Sequence, residues 1–234
     1  WSPVRKISKN GFVNTIKTMV RNKNYKATNT KSYKNQGTIN ELNGVVSYMA
    51  SLPLKKEDSN HFKLFSPNFM LRYAPGHMRD ITNSDEMLNY TNLYALNRTS
   101  EIEDGISAVL GFDFKVNKKN NDNSQTEKLS LSLGQVFSNE DNSDIPSKTS
   151  LDQKTSDIVG EFKYNFSNIG AIDYKFSVDH NLNDLNYNEV STSLNFNKVK
   201  FNLDYLEEQN HIGKEHYVSS GVSLNFNENN SLSF

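Results

Sequence analysis

Few residues in this sequence have the types and spacing that metal binding or catalysis requires. His211 and His216 flank Glu215, a grouping that would suit a metal ion. Their spacing is not that of the zinc-protease helix, and the segment is typical of a loop between two hairpin strands. The 234 residues include no cysteine, which excludes disulfides, zinc–cysteine sites and thiol catalysis among them. We therefore predict no metal site.

A second group of residues imitates the opening of a calcium-binding loop. Asp179, Asn181 and Asn183 fall at its first, third and fifth positions. The sixth position would be Asp184 rather than glycine, and the twelfth would be Val190 rather than glutamate. The sequence also has no glycine-rich phosphate loop and no nucleophile elbow. We predict that the protein is not an enzyme and uses no cofactor.

Charge and composition narrow the class of protein. The formal net charge is −1, from 26 basic and 27 acidic side chains, so no sequence-wide field would attract nucleic acid. Hydrophobic residues make up 35% of the chain, below the ~45–50% of a soluble globular protein. Aromatic residues reach 11%, whereas a disordered chain would be poor in them. No run of about 18 apolar residues occurs, so no transmembrane helix is predicted.

Alternation of apolar and polar residues is the dominant signal along the chain. Between Ile172 and Asp179 every second residue is apolar, so a strand there has one apolar face and one polar face. The same period predicts eleven strands, near 11–25, 38–52, 62–74, 104–117, 127–138, 157–167, 170–181, 186–197, 199–210, 214–226 and 228–234. Most are longer than the ~5–6 residues of soluble strands and suit the ~9–11 that cross a bilayer at a tilt.

The connections between these strands alternate in length. Tight turns rich in Asn, Ser and Gly are predicted at 167–170, 197–198 and 227–230. Outer-membrane barrels combine short periplasmic turns with long external loops. By parity we predict external links at 26–37, 74–103, 138–156, 181–185 and 210–214, and periplasmic links at 53–61 and 117–126. One short helix is predicted over Asp85–Leu96.

The two faces of such a barrel wall meet lipid and the interior. Predicted to face lipid are Phe112, Phe114, Tyr174, Phe176, Phe201 and Leu203. Predicted to line the polar interior are Arg72, Asp113, Lys115, Glu161, Lys163, Asp173, Lys175, Lys200 and Asp204. Predicted to form the aromatic belts at the lipid–water interfaces are Tyr25, Tyr73, Phe137, Phe166, Tyr187, Phe196, Tyr205, Tyr217 and Phe226.

A soluble β-sandwich is the alternative, because half-buried soluble strands alternate as well. Strand length, the low apolar fraction and the aromatic positions favour an all-β, antiparallel up-and-down barrel wall. Within membrane barrels, a porin or nutrient transporter remains a further alternative.

Three stretches, in this order, carry a family resemblance. The first is Phe65–Gly76, with the core Arg72, Tyr73, Ala74, Pro75 and Gly76, followed by Met78–Asp80. The second comprises Leu133–Phe137, Ile145–Ser147 and Ser156–Gly160. The third comprises Asp184–Val190 and Tyr205–Glu208. From about Gly11 onward the chain resembles the lipopolysaccharide-assembly outer-membrane protein family (LptD, also called OstA or Imp).

The resemblance implies more than the residues do. Members have an N-terminal periplasmic jelly-roll domain and a very large C-terminal barrel, so residues 1–234 would be a partial barrel without the jelly roll, the first strands and the last strands. The implied function is assembly and insertion of lipopolysaccharide into the outer leaflet of a Gram-negative outer membrane. The implied partners are lipopolysaccharide, a plug lipoprotein of the LptE type, membrane lipid, and periplasmic bridge proteins that act through the jelly roll.

The chain ends support the expectation of a partial barrel. The sequence opens at Trp1 without Met and closes at Phe234 within an alternating pattern, so we expect a segment of a longer protein. Bacterial single-chain barrels have an even number of strands, whereas eleven are predicted here. We therefore expect an open sheet, with the strands near 11–25 and 228–234 at opposite edges.

The Arg72–Gly76 motif allows two interpretations. In the structural one, Tyr73 is an interfacial aromatic, and Pro75-Gly76 ends the strand and starts a turn. In the functional one, Arg72 and Arg79 contact lipid phosphates, for which the guanidinium group is well suited. Turn chemistry favours the structural interpretation.

Overall fold

The protein is all-β in a computed structural model that describes residues 4–26, 28, 38–120, 122, 124–166, 169–209, 213–227 and 230–234. The strands are β1 (Val4–Ile7), β2 (Val13–Lys26), β3 (Thr38–Ser51), β4 (Leu54–Glu57), β5 (His61–Ala74), β6 (Gly105–Lys119), β7 (Gln125–Ser138), β8 (Ile158–Asn165), β9 (Gly170–Val178), β10 (Leu185–Phe196), β11 (Val199–Glu208), β12 (Glu215–Asn227) and β13 (Asn230–Ser233).

The thirteen strands form one antiparallel, up-and-down sheet. Its order is β1-β2-β3-β5-β6-β7-β8-β9-β10-β11-β12-β13, with β4 paired beside β5. Among the described residues, β1 and β13 pair with β2 and β12 but not with each other. The sheet is therefore open, as the sequence predicts. No helix in the described part of the chain is long and apolar enough to cross a membrane.

The predicted strands are all present, and two short ones were missed. Each of the eleven predicted strands corresponds to one of β2, β3 and β5–β13. The missed strands, β1 and β4, have the sequences Val-Arg-Lys-Ile and Leu-Lys-Lys-Glu, in which apolar and polar residues do not alternate. The strand near 11–25 is consequently second from the edge, because β1 pairs outside it.

One predicted turn shows how the local sequence ends a strand. Asn197-Lys198 joins the last residue of β10 to the first residue of β11. Asn197 has φ 52°, a left-handed conformation that asparagine tolerates better than most residues do. Phe196 and Val199 face each other directly across this turn, so the two strands stay in register from it.

The chain divides into two compact units. Unit 1 comprises residues 1–52, 67–111 and 135–156, and unit 2 comprises residues 53–66, 112–134 and 157–234. Unit 1 contains the two longest links, which we name the 75–104 segment and the 139–156 segment. Unit 2 contains β8–β13 entire and hairpin-like connections between them.

The 75–104 segment packs on the polar face of the strands in unit 1. Leu96 and Ile102 form a buried apolar cluster with Val45 of β3 and Ala74 of β5, against which Met19 of β2 also packs. Several residues of this link, which is predicted to be external, are buried, and Leu93 is completely inaccessible. The segment is therefore a covering layer on the sheet.

The predicted helix over Asp85–Leu96 is wrong. The segment contains turns there, and the one helical element of the described residues is a 3-10 turn at Ser147–Thr149. The Asn89 side-chain oxygen accepts hydrogen bonds from the backbone N–H groups of Thr91 (2.9 Å) and Asn92 (3.1 Å). Asparagine side chains that bond nearby backbone groups in this way compete with helix formation.

The 139–156 segment packs in turn against the 75–104 segment. The backbone N–H of Ile81 donates to the carbonyl of Asp144 at 2.8 Å, and the Asn142 amide donates to Asp104 at 2.9 Å. Ile145 and Leu151 are buried. Unit 1 thus has its hydrophobic core between the polar face of its strands and these two segments.

Candidate functional site

Burial in unit 1 is inverted relative to an ordinary soluble sheet. In β5, Leu71 is 45% exposed whereas its neighbour Arg72 is only 1% exposed. Across the sheet, Arg72 lies directly opposite Ser47, which is also 1% exposed, and Leu71 lies opposite the exposed Tyr48. Val20 of β2 belongs to the same exposed apolar face. The apolar face therefore looks outward, and the polar face is the covered one.

Unit 2 also separates apolar and polar residues on opposite faces. One row of directly opposed residues crosses β7 to β12 on the apolar face: Leu131, Phe162, Tyr174, Val190, Tyr205 and Val218. Tyr174 and Phe176 stack on this face with ring centroids 5.5 Å apart. Phe201 and Leu203 share it by strand parity, as predicted; their contact with lipid remains a prediction.

The polar face of unit 2 carries a ladder of opposite charges. Glu161 lies directly opposite Lys175, which lies opposite Glu189 on the next strand. The Lys175 ammonium is 3.1 Å from a Glu189 carboxylate oxygen. Lys163 is 2.9 Å from Glu161 and 3.4 Å from Asp173. We name these residues, Glu161, Lys163, Asp173, Lys175 and Glu189, the charge ladder.

The other predicted interior residues lie on the same polar faces. Asp113 accepts a 2.6 Å hydrogen bond from the Ser132 hydroxyl, and Lys115 is 3.6 Å from Glu127. Asp204 lies opposite Ser191 and Ser219, and Lys200 lies opposite Asn195 and Ser223. Arg72 is buried on the polar face of unit 1. These side chains share the polar faces of the sheet. Their position in a barrel interior stays a prediction.

Three of the predicted interfacial aromatics lie on the polar face instead. The Tyr25 hydroxyl donates to Glu41 at 3.0 Å, and the Tyr187 hydroxyl donates to Glu189 at 2.8 Å. Tyr217 lies opposite Leu206, on the side of Asp204 and Glu208. Proximity to a strand end did not distinguish the faces, and for Tyr25 and Tyr187 the hydroxyl meets a carboxylate on the polar side.

Arg72 and Arg98 are two buried arginines that lie near each other in unit 1. The Arg72 Nε–H donates to the carbonyl of Leu96 at 3.1 Å. Arg98 is 3% exposed; its guanidinium is 2.8 Å from Glu103 and donates to the Ser107 hydroxyl at 2.8 Å. The Arg72 side chain therefore contacts the 75–104 segment, and both interpretations of the Arg72–Gly76 motif stay predictions.

A second ion cluster joins the 75–104 segment to β2 and β3. Arg79 forms an ion pair with Glu41 and stacks over the Tyr25 ring at 4.7 Å. Glu101 accepts a hydrogen bond from Lys23, and its carboxylate is 3.7 Å from Arg21. Partial burial opposes the charge on Arg79, but the hydrogen bond and charge of Glu41 outweigh burial and raise the Arg79 pKa.

Sequence reasoning missed Arg98, Glu101 and Glu103, because they lie in a link without periodicity. The signal available was the acidic run Glu101–Asp104, which follows an arginine and precedes a strand. An acidic run is usually a solvated surface, but here Glu101 and Glu103 are buried and paired with cations.

The rejected metal and calcium patterns have structural explanations where the residues are described. The Asp179 carboxylate accepts the backbone N–H of Asn181 at 3.0 Å and so stabilises its own turn. His216 lies 3.4 Å from the Tyr205 hydroxyl, and His211 is outside the described residues. Within the described ranges, no group of three or more His, Cys, Asp or Glu residues could hold a metal ion.

Comparison with known proteins identifies the family. The model of the family described as "LPS transport system D" (LptD) matches residues 4–228, which is nearly the whole chain. A search of curated proteins gives no match. The chain belongs to the LptD family, whose members take part in lipopolysaccharide transport and assembly at the outer membrane.

Proposed function

We propose that this chain is part of the wall of an outer-membrane β-barrel that inserts lipopolysaccharide into the outer leaflet without catalysis. The observation that carries the proposal is the inverted burial, in which exposed apolar residues such as Leu71 alternate with buried polar ones such as Arg72. Membership of the LptD family supplies the substrate. The open strand order is that expected for a portion of a closed barrel.

The apolar face is suited to contact with lipid tails. Val20 and Leu42 are each 73% exposed, and further large apolar residues are exposed along the same face. In water such a continuous apolar surface would favour aggregation. In a bilayer the same surface contacts apolar lipid tails, so its exposure is not unfavourable. We therefore assign the apolar faces of both units to the lipid side.

The polar faces are suited to a hydrated interior. Arg72, Asp113, Lys115, Lys200, Asp204 and the charge ladder are the interior-facing residues that we propose. Charged groups in a bilayer-spanning wall are tolerated where they pair with each other or face water, and the ladder provides such pairing. The hydroxyl groups of a sugar chain could donate hydrogen bonds to carboxylates of this face, and its phosphate groups could pair with Lys163 and Lys175.

The partners follow from the family. We propose that lipopolysaccharide is the cargo, that a lipoprotein of the LptE type occupies the barrel, and that periplasmic bridge proteins deliver the cargo through a domain outside these residues. The site we propose is a surface for transport, and the described polar face has paired charges rather than an activated nucleophile.

Depletion in the bacterium of origin tests the function. Cells that lose the full-length protein should stop displaying newly made lipopolysaccharide. A pulse of labelled sugar marks the new molecules, and antibody binding to intact cells measures how much of the labelled lipopolysaccharide is on the surface. A matched strain that expresses a plasmid copy should restore the display. Normal lipopolysaccharide display, combined with slower uptake of small hydrophilic solutes, would favour a porin or transporter instead.

A further inference from the structure

Both ends of the 75–104 segment meet in a single ion cluster on the polar face of unit 1. Arg79 lies near the start of the segment and Glu101 near its end, and their side chains are 3.7 Å apart. The strands contribute Arg21 and Lys23 from β2 and Glu41 from β3, each paired with Glu101 or Arg79. We name these five residues the latch.

The latch holds charges that are only partly buried. The side chains of Arg21 and Lys23 are each 26% exposed, and Glu101 is 8% exposed. Water and ions can therefore reach one side of the cluster. Ion pairs in such positions contribute modestly and weaken as salt concentration rises.

Beneath the segment, and within it at Arg98, lie buried polar atoms that have no hydrogen-bond partner among the described residues. They are Nη1 and Nη2 of Arg72, Nη1 of Arg98 and the hydroxyl of Ser47. Arg72, Arg98 and Ser47 are all at least nine-tenths buried. A buried donor without a partner loses its bonds to water and gains nothing in return, and the loss is larger when the group is charged. The closed position of the segment is therefore unfavourable at these atoms.

Apolar contacts oppose this loss. Met78, Leu88, Leu93, Leu96 and Ile102 of the segment are buried, and Leu96 and Ile102 form the cluster with Val45 and Ala74. Lifting the segment would admit water to Arg72, Arg98 and Ser47 and would satisfy their free N–H and O–H groups. The latch ion pairs add to these apolar contacts, so breaking the latch should raise the fraction of molecules in which the segment is open.

We propose that the 75–104 segment is a movable strap, which the latch holds closed over the polar face and which opens when the latch ion pairs are broken. Opening exposes Arg72 and Arg98 to water or to an anionic ligand. The proposal rests on the proposed function only in taking this polar face as the barrel interior, where an opened strap would widen the path for cargo.

Chemical labelling of a buried position measures the opening directly. Ser47→Cys in the full-length protein places a thiol under the strap with little change in volume, and the chain has no cysteine of its own in these residues. Outer membranes are treated with a water-soluble maleimide, and the rate of modification at residue 47 is compared between latch variants. Protein without the introduced cysteine gives the background, and Asn83→Cys, at an exposed position of the segment, gives the rate for an open site.

Glu101→Gln is the main latch variant, because it removes the charge and keeps the shape. Arg79→Gln removes the ion pairs of Arg79 with Glu41 and Glu101 and is the second latch variant, which also replaces the first if that one does not assemble. Asp85→Asn is the matched control: Asp85 is in the same segment and pairs with Lys148 at 3.0 Å, but its side chain is 93% exposed. Heat-modified mobility of each variant on gels verifies that the barrel is folded.

We expect slow labelling of residue 47 in the otherwise unchanged protein. Labelling should be at least about tenfold faster in both latch variants and within about twofold of the starting rate in the Asp85 control. Equal rates in folded latch variants and the parent would overturn the proposal. Labelling of residue 47 in the parent as fast as at residue 83 would also overturn it. Lipopolysaccharide display is a separate readout, so failure of the proposed function would be recognised independently.

Discussion

Replacement of Leu203 by lysine tests which face of the sheet meets lipid. Leu203 is in the middle of β11 on the apolar face, opposite Thr192 and Ser220. Its neighbour Asn202 is exposed on the polar face, opposite Ser193 and Gly221, and provides the matched control Asn202→Lys. Both variants add the same charge at adjacent positions, so only the face differs.

The two environments predict very different costs for Leu203→Lys. At a lipid-facing position near the bilayer centre, lysine destabilises a barrel by about 2–4 kcal/mol, which is about 30- to 900-fold in the unfolding equilibrium. Leu203 is 38% exposed in the structure, so with water on that side the same change would be a surface substitution, within about 0.5 kcal/mol of zero. Asn202→Lys should be close to neutral, because small side chains surround it and water is accessible.

Urea unfolding of the full-length protein in phospholipid vesicles measures the difference. Each variant is titrated by tryptophan fluorescence, and the free energies of unfolding are compared with that of the parent protein. Equal effects of the two substitutions, or a larger effect of Asn202→Lys, would refute the assignment of the apolar face to lipid.

Three further predictions concern packing, charge and topology. Gly170→Ala should destabilise the protein by about 1–3 kcal/mol in the same urea titration, because the added Cβ would be 2.0 Å from the Ser193 carbonyl oxygen. Gly221→Ala is the control and should be tolerated, because its Cβ would be 3.6 Å from the nearest atom. Hydrogen bonds from Lys119 and Lys55 lower the pKa of Glu57 to about 2, so the stabilising contribution of Glu57 is complete above its ordinary pKa of 4.5 and is lost as the pH falls towards 2. Lys119→Met should raise the Glu57 pKa towards 4.5, as measured by carbon-13 NMR of labelled glutamate. An unchanged pKa would contradict the pairing. An epitope inserted after Gln153, an exposed residue of the 139–156 segment, should be detected by antibody on intact cells, and detection only after permeabilisation would invert the topology.

The strands could be predicted from the sequence because their signal is local. Alternation between neighbouring residues determines the two faces, and it placed Asp113, Lys163 and Asp173 on the polar side as observed. The ion-pair partners Glu127 and Glu189 were not predicted, because they depend on which residues of adjacent strands lie opposite each other. Register of this kind is determined by turns and by the whole sheet, which single-strand patterns do not contain.

The 75–104 segment was not predictable in the same way. It has neither the period of a strand nor that of a helix, and the local bonds of Asn89 favour turns over the predicted helix. Its path is determined by distant contacts: Leu96 and Ile102 with Val45, and Arg72 with the Leu96 carbonyl. Such contacts appear only when the polar face that the segment covers has been assembled.

The charge ladder contributes more to the register of the sheet than to its strength. Each exposed or half-exposed ion pair is worth about 0.2–1 kcal/mol, so Lys163 or Lys175 could be lost individually at small cost. A slip of one residue between neighbouring strands, however, would turn a whole strand over and direct its charges to the apolar face, which we propose meets lipid. There a single lysine costs about 2–4 kcal/mol and a carboxylate somewhat less. Because Glu161, Lys163, Asp173, Lys175 and Glu189 occupy three adjacent strands, a slip of any one of these strands incurs that cost. The ladder thus opposes wrong pairings far more strongly than it stabilises the correct one, which is what a long, similar series of alternating strands requires.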